Sequence, residues 1–281
     1  MKYSNLDENK ICQMYEDGKS THEISKLLDI SNTPIKRILR KNNIKLRNVG
    51  HPKIYSCNED FFKEESEESF YLAGFIAADG SLRQQKYSKV LKITLSTKDK
   101  EHLEKMKSLL NSNAIIKYYK TTINNNIIHN NKTKKSNYDN CELNITSKII
   151  FDDLQKFNIV PNKTENYKIP QWLYEHKYFK HFIRGYIDGD GSISATKTKQ
   201  CNNLQTSISL IGNYQVVDII NNYLIKSCNI NGSTINHKPG TKHTYRIRFS
   251  GNLQNKKIGT HLYENTNIYL ERKFNKIKWL L

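Results

Sequence analysis

Cysteine is scarce and scattered in this sequence: five residues in 281, at 12, 57, 141, 201 and 228, no two of them close enough for a C-x-x-C pair. The nine histidines are equally dispersed and form no H-E-x-x-H. This argues against a disulfide framework and against the usual zinc spacings, and it fits a reducing compartment. Long apolar runs are missing too. Mean hydropathy is -0.73, and no stretch approaches the ~18 apolar residues that a membrane helix needs. The opening residues, MKYSNLDENK, lack the apolar centre of a signal peptide, so the expected location is the cytoplasm.

Acidic residues are in the minority. Asp and Glu number 27 against 45 Lys and Arg, a formal net charge of +18. With 37% apolar and 10% aromatic residues the chain can bury ordinary cores, which separates it from a disordered basic tail. Its length suits about two domains. A folded chain with this surplus points to a polyanionic partner, nucleic acid first. The plainer alternative is a Lys- and Asn-rich background composition.

Residues 1–47 read as a small all-helical domain. Asp7 caps a helix carrying Ile11, Met14 and Tyr15 on one face, and Gly18 ends it. Ser20 and Glu23 form a capping box for a second helix with Ile24, Leu27 and Leu28 inward. Ser31 caps a third, with Pro34 in its first turn, Ile35, Ile38 and Leu39 inward, and Lys36, Arg37, Arg40 and Lys41 outward. Two helices around a tight turn, the second basic on its outer face, are the helix-turn-helix pattern. Base reading would fall to Asn32, Thr33, Lys36 and Arg37, with Arg40 on the same basic face; the alternative is a trihelical bundle with a solvated charged face. Residues 48–66, with Gly50, His51, Pro52 and then an acidic run, read as a linker of flexible reach ~25 Å.

The remainder holds an internal repeat. FYLAGFIAADGSL (70–82) returns as FIRGYIDGDGSIS (182–194), an offset of 111 residues from Asp79 to Asp190. The repeats divide at 67–170 and 171–281. Each copy is followed by a strand (90–96; 206–211), a helix (99–110; 214–227), a hairpin (114–122 with 138–146; 232–237 with 244–249) and a further helix or turn (148–157; 252–257). The Asn-rich stretch 124–137 is expected to be a mobile loop. The fold class is α+β: a pseudo-twofold pair of αββαββα units behind the small helical domain.

Gly74 and Ala78, like Gly185 and Gly189, lie four apart and line one face of a helix. Small residues at that spacing let two helix backbones approach closely. The apolar Leu72, Phe75 and Ile76, with Ile183, Tyr186 and Ile187, fill the flanking cores. Two such helices crossing at their small faces would bring Asp79 and Asp190 together. Paired carboxylates repel unless cations sit between them, and Mg²⁺ favours carboxylate, water and phosphate oxygens. Such a site on a basic protein suits hydrolysis of a phosphodiester. Asp residues that merely cap turns beside Gly are the alternative, and the doubling of the motif argues against it.

The two signatures, LAGFIAADG (72–80) and IRGYIDGDG (183–191), resemble those of LAGLIDADG homing endonucleases in the single-chain, two-motif form, over residues 67–281. The resemblance implies two four-stranded sheets forming a saddle over double-stranded DNA with a long specific site, in a functional monomer. It implies a Mg²⁺-dependent endonuclease, with Mn²⁺ as a possible substitute, in which Asp79 and Asp190 bind metal and the carbonyls of Ala78 and Gly189 add ligands. Lys163, in IVPNKTENYKIP, and Lys273, in YLERKFNKIKW, match the family's basic positions near the site, where they would orient water or steady phosphate charge; simple phosphate contact is the alternative. One departure is Ala77 where the second copy has Asp188, which leaves the halves unequal and one helix end less well capped.

Strands in a major groove present every second residue. Lys92 and Thr94 alternate suitably, as do Lys117 with Tyr119 or Tyr118 with Lys120, and Arg246 with Arg248. Segment 83–135 carries 13 Lys and Arg against 3 acidic residues, suited to phosphate contact. Two other readings share the scaffold: a catalytically inactive DNA-binding transcriptional regulator, and an RNA-binding intron maturase. DNA binding would place the protein on the nucleoid.

Overall fold

Why the first helices stop where they do is visible at their caps. In a computed structural model that describes residues 7–46, 55–85, 88–125, 134–163, 166–198 and 201–281, the chain divides into two compact units, Met1–His51 and Pro52–Leu281. The first unit holds α1 (Glu8–Glu16), α2 (Thr21–Leu28) and α3 (Asn32–Lys41). Asp7 accepts from Lys10 N, and the Ser20–Glu23 capping box is present in both directions. Asp29 ends α2 in the left-handed region at φ 50°. Ile11, Tyr15, Ile24, Ile35, Ile38 and Leu39 form one core. Two expectations need correction. Leu27 is 61% exposed, because so small a bundle covers only a narrow stripe of α2, and Ile24 and Leu28 occupy it. Ser31 holds the N-cap position of α3 without a side-chain hydrogen bond.

The second unit contains both repeats. The first runs α4 (Glu67–Asp79), β1 (Gly80–Gln84), β2 (Lys89–Ser96), α5 (Lys100–Leu109), β3 (Lys117–Asn125), β4 (Lys134–Thr146) and α6 (Lys148–Leu154). A short α7 (Gln171–Tyr174) leads to the second: α8 (Phe179–Asp190), β5 (Ser192–Thr198), β6 (Cys201–Gly212), α9 (Tyr214–Cys228), β7 (Asn236–His237), β8 (Tyr245–Ser250), α10 (Asn252–Tyr263) and α11 (Glu271–Phe274). The antiparallel sheets have matching orders, β1-β2-β4-β3 and β5-β6-β8-β7. Strand alternation explains their one-sided burial. Leu82, Leu91, Ile93, Leu95, Leu143 and Ile145 face the core in one sheet, and Ile193, Ile208, Leu210, Ile247 and Phe249 in the other. The helix α4 is apolar all round from Phe70 to Ala77 and is buried all round, as its sequence requires. No described helix is long and apolar enough to cross a membrane.

Three features differ from expectation. The strands β1 and β5 follow the motif helices almost without a turn, ahead of the strands read at 90–96 and 206–211. The hairpin strands β3 and β4 continue to Asn125 and from Lys134, into the stretch expected to be loop; 126–133 lies outside the described residues. Lastly, the described end of the expected linker packs on the first repeat. Phe61 and Phe62 are buried in its core, Asn58 N donates to Leu110 O, and Ser147 Oγ donates to Glu59. The connection between units is therefore shorter than 48–66, because two adjacent phenylalanines bury better than they solvate.

Candidate active site at the helix seam

Each motif Asp is the last residue of its helix, Asp79 of α4 and Asp190 of α8. The helices meet backbone to backbone. A Cβ built on Gly74 would lie 2.0 Å from Phe182 O, and one on Gly185 would lie 2.0 Å from Tyr71 O. Only glycine permits that approach. Further along the seam, a Cβ on Gly189 would lie 2.5 Å from the Ala78 Cβ and 3.5 Å from the Asp79 Cβ. The small-residue spacing thus sets the two carboxylate-bearing helix ends side by side.

Asp79 and Asp190 both reach solvent, and among the described residues neither carboxylate makes a hydrogen bond or an ion pair. Their surroundings are nonetheless crowded with protein. Burial pushes both carboxyls above the ordinary range, and Asp79 adds to the rise at Asp190. Lys273 and Lys163 pull both back down.

The two lysines are buried but held differently. Lys273 Nζ donates to the carbonyls of Ile187, Asp188, Gly189 and Gly191 at 2.9, 2.6, 3.0 and 2.6 Å. It caps the C-terminal end of α8, where the helix leaves carbonyls without partners and its dipole favours a cation. Among the described residues Lys163 Nζ reaches only Ala78 O, at 3.4 Å. Burial lowers the pKa of both ammonium groups, and the nearby carboxylates raise it. The Ala78 and Gly189 carbonyls, implied above as metal ligands, each accept a lysine N–H.

Asp188 has a different role from the helix-capping one expected of it. Its carboxylate is 1% exposed and accepts from Tyr71 OH at 2.8 Å, Tyr263 OH at 2.9 Å and Leu270 N at 2.8 Å. Capping of α8 falls to Lys273 instead. Sequence reasoning missed Tyr71, Tyr263 and the buried Arg184 altogether. A signal existed: Arg184 and Asp188 are charged residues four apart inside the otherwise apolar run FIRGYID (182–188), which demands buried partners.

The remaining predicted residues fall on three surfaces. Asn32, Thr33, Lys36, Arg37 and Arg40 lie along α3 in the first unit, with Thr33, Lys36, Arg37 and Arg40 exposed. Lys92, Thr94, Lys117 and Tyr119 share the open face of the first sheet, because Lys92 pairs with Asn144, Thr94 with Glu142, and Lys117 with Glu142. Lys120 does not belong with them. It lies an odd number of residues from Lys117 and therefore on the opposite face, beside Asp139 at 3.9 Å. Arg246 and Arg248 are on the open face of the second sheet, with Ile247 and Phe249 in the core.

Residues 66–153 match the family model described as a LAGLIDADG-like domain. Among solved structures, the homing endonuclease I-WcaI bound to its DNA recognition sequence is 15% identical, with a TM-score of 0.53 over 84% of this chain and 97% of that one. The LAGLIDADG homing endonuclease I-GzeII in complex with DNA target is 14% identical, with a TM-score of 0.48 over 77% of this chain and 89% of that one. For the I-LtrWI LAGLIDADG homing endonuclease bound to target DNA the values are 12%, 0.48, 79% and 90%. No curated protein matches. Residues 66–153 thus form a LAGLIDADG-like domain, and the chain shares the fold of I-WcaI.

Proposed function

We propose that the protein is a site-specific double-strand DNA endonuclease acting in intron or intein homing. The observation that carries this is the pair of unpartnered carboxylates, Asp79 and Asp190, at the meeting point of two helix ends with lysines beside them. A scaffold kept only for DNA binding has no use for two repelling acids at this point, which weighs against a purely regulatory role.

The donor set suits a hard divalent cation, Mg²⁺ with Mn²⁺ as a substitute. Among the described residues no three His, Cys, Asp or Glu side chains converge. A cation at the seam would thus rest on the two carboxylates, backbone carbonyls, water and phosphate oxygens, the preference of Mg²⁺ and not of Zn²⁺. Bound there, it would supply Lewis-acid polarisation of the phosphoryl group. Asp79 and Asp190 would be the residues that hold it. Lys163, with a single long contact, keeps N–H groups to turn toward a phosphate or a water. Lys273 fixes the end of α8 on which Asp190 sits.

Both open sheet faces read one long asymmetric site, and the doubled motif makes a monomer sufficient. The first unit acts as a helix-turn-helix anchor through Asn32, Thr33, Lys36, Arg37 and Arg40, and linkage adds avidity. Deleting 1–47 weakens binding and shortens the footprint without abolishing cleavage at high enzyme. The decisive test incubates the protein with Mg²⁺ and DNA from the gene's own neighbourhood. Asp79→Asn and Asp190→Asn should each remove cleavage and spare binding. Continued cutting by either variant would reject the site, and binding without cuts by the parent protein would favour the regulator.

A further inference from the structure

The open faces of the two sheets correspond residue by residue. Ser81 pairs with Lys92, and Lys92 with Asn144. In the second sheet Ser192 pairs with Ser209, and Ser209 with Arg248. Ser81 and Ser192 each stand two places after the motif Asp, so Asn144 and Arg248 are counterparts. Two residues along, Thr94 pairs with Glu142 and Ile211 with Arg246. Glu142 and Arg246 are therefore counterparts too.

The chemistry at these matched positions is opposed. Glu142 takes three donors: Lys92 Nζ, Asn144 Nδ2 at 2.7 Å and Tyr119 OH at 3.1 Å. Burial raises its carboxyl, but hydrogen bonds from Lys92, Asn144 and Tyr119 outweigh it and leave the pKa below the ordinary value. Glu142 thereby spends the Lys92 charge inside the protein and turns the Asn144 amide, whose Oδ1 and second N–H remain for a ligand. In the second sheet Arg246 and Arg248 are exposed, and neither guanidinium has a hydrogen bond or ion pair among the described residues.

We propose that the two faces read different bases at matched positions: Arg248 takes a guanine, and Asn144, oriented by Glu142, takes an adenine. The proposal rests on the DNA-saddle reading above. A guanidinium fork matches the O6 and N7 acceptors of guanine, and a side-chain amide matches N6–H and N7 of adenine. Arg246 adds a second guanine contact with no counterpart in the first half-site, where Glu142 is a positioning residue. The target is therefore non-palindromic, with its guanine-rich half under the second repeat.

The test selects binders from a randomised duplex pool with the full-length chain in metal-free buffer, then measures single-base competition. Arg248→Ala should flatten one guanine preference in one half-site, and Asn144→Ala one adenine preference at the matched position of the other, each by roughly 5–150-fold. Arg248→Lys keeps the charge and the salt dependence but loses the fork, so the guanine preference still falls. Glu142→Gln should at least halve the adenine preference while affinity for unrelated duplex rises as the Lys92 charge is released, a split that a merely structural role would not produce. Guanine at both matched positions, or an alanine variant that weakens binding equally for every base, overturns the proposal. A pool in which no sequence enriches overturns the saddle reading itself.

Discussion

The two motif helices have near-equivalent backbones and bury opposite things. The first, α4, buries Ala73 and Ala77; the second, α8, carries Arg184 and Asp188 at those positions, both inside the protein. Arg184 is 0% exposed. Its Nε donates to Ile268 O and its Nη1 to Leu262 O, both at 2.9 Å, and its Nη2 meets Glu67 Oε1 at 2.7 Å. The guanidinium also lies 5.1 Å from the Tyr71 ring centroid. Through Glu67 and Tyr71, α8 grips the first repeat; through residues 262 to 270 it grips the chain that leads to Lys273. The small-residue seam is symmetric, whereas the polar clip across it is built from one side. A pseudo-twofold backbone therefore leaves each half able to specialise, since one well-partnered set of charges suffices to hold both halves.

The largest expected break in that asymmetry is Arg184→Ala. It takes the ion-pair partner from Glu67, which keeps the Asn267 N–H, leaves two buried carbonyls without their donor and should cost about 3–5 kcal/mol. Ala73→Ser, the matched change in α4, should cost far less. Equal shifts of the two urea midpoints would show that the clip has no special weight. Next come the glycines, where the halves should agree. Gly74→Ala and Gly185→Ala each drive a Cβ into a facing carbonyl and should each lose about 3 kcal/mol, and a large difference between their melting temperatures would contradict a symmetric seam. Ala77→Asp, which makes the motifs alike, should cost roughly 2 kcal/mol or more. Phe182, the counterpart of Tyr71, has no hydroxyl to offer the new carboxylate. A neutral effect on stability would mean that donors to it exist in the first half.

The smallest effect is one of pH, and here each half contributes at least one buried histidine, with burial also lowering His261 in the second. Burial pushes His102 in the first repeat and His181 in the second from 6.5 to about 3. The unfolded chain takes up these protons first, so stability is full above pH 6.5 and falls as pH drops toward 3. The slope is at most about 1.4 kcal/mol per pH unit for each histidine. Urea midpoints between pH 7 and 5 check it, and His102→Phe or His181→Phe should each reduce the slope. An unchanged slope in both variants would assign it to other groups.

Much of the site was legible because its requirement is local. A close helix crossing needs small residues four apart, and Gly74, Ala78, Gly185 and Gly189 state that need in the chain itself. Asp79 and Asp190 follow as the next residues out. Alternation likewise put Arg246 and Arg248 on one face. Lys120 was misplaced because its strand offered two readings of one alternation, and only pairing with β4 selects between them. Phe61 and Phe62 were hidden by the acidic residues around them, which signal solvent where two aromatic rings signal core.

From sequence alone came the repeat, the seam, the paired acids and the basic surface, since each depends on residue type and spacing along a single element. Tertiary structure decided which lysine caps a helix and which stays available, which sheet face is open, and where buried charges find partners. Those outcomes depend on groups some 75 to 117 residues apart. No local pattern encodes such a meeting, because a side chain in a folded core is satisfied by whatever the whole topology brings beside it.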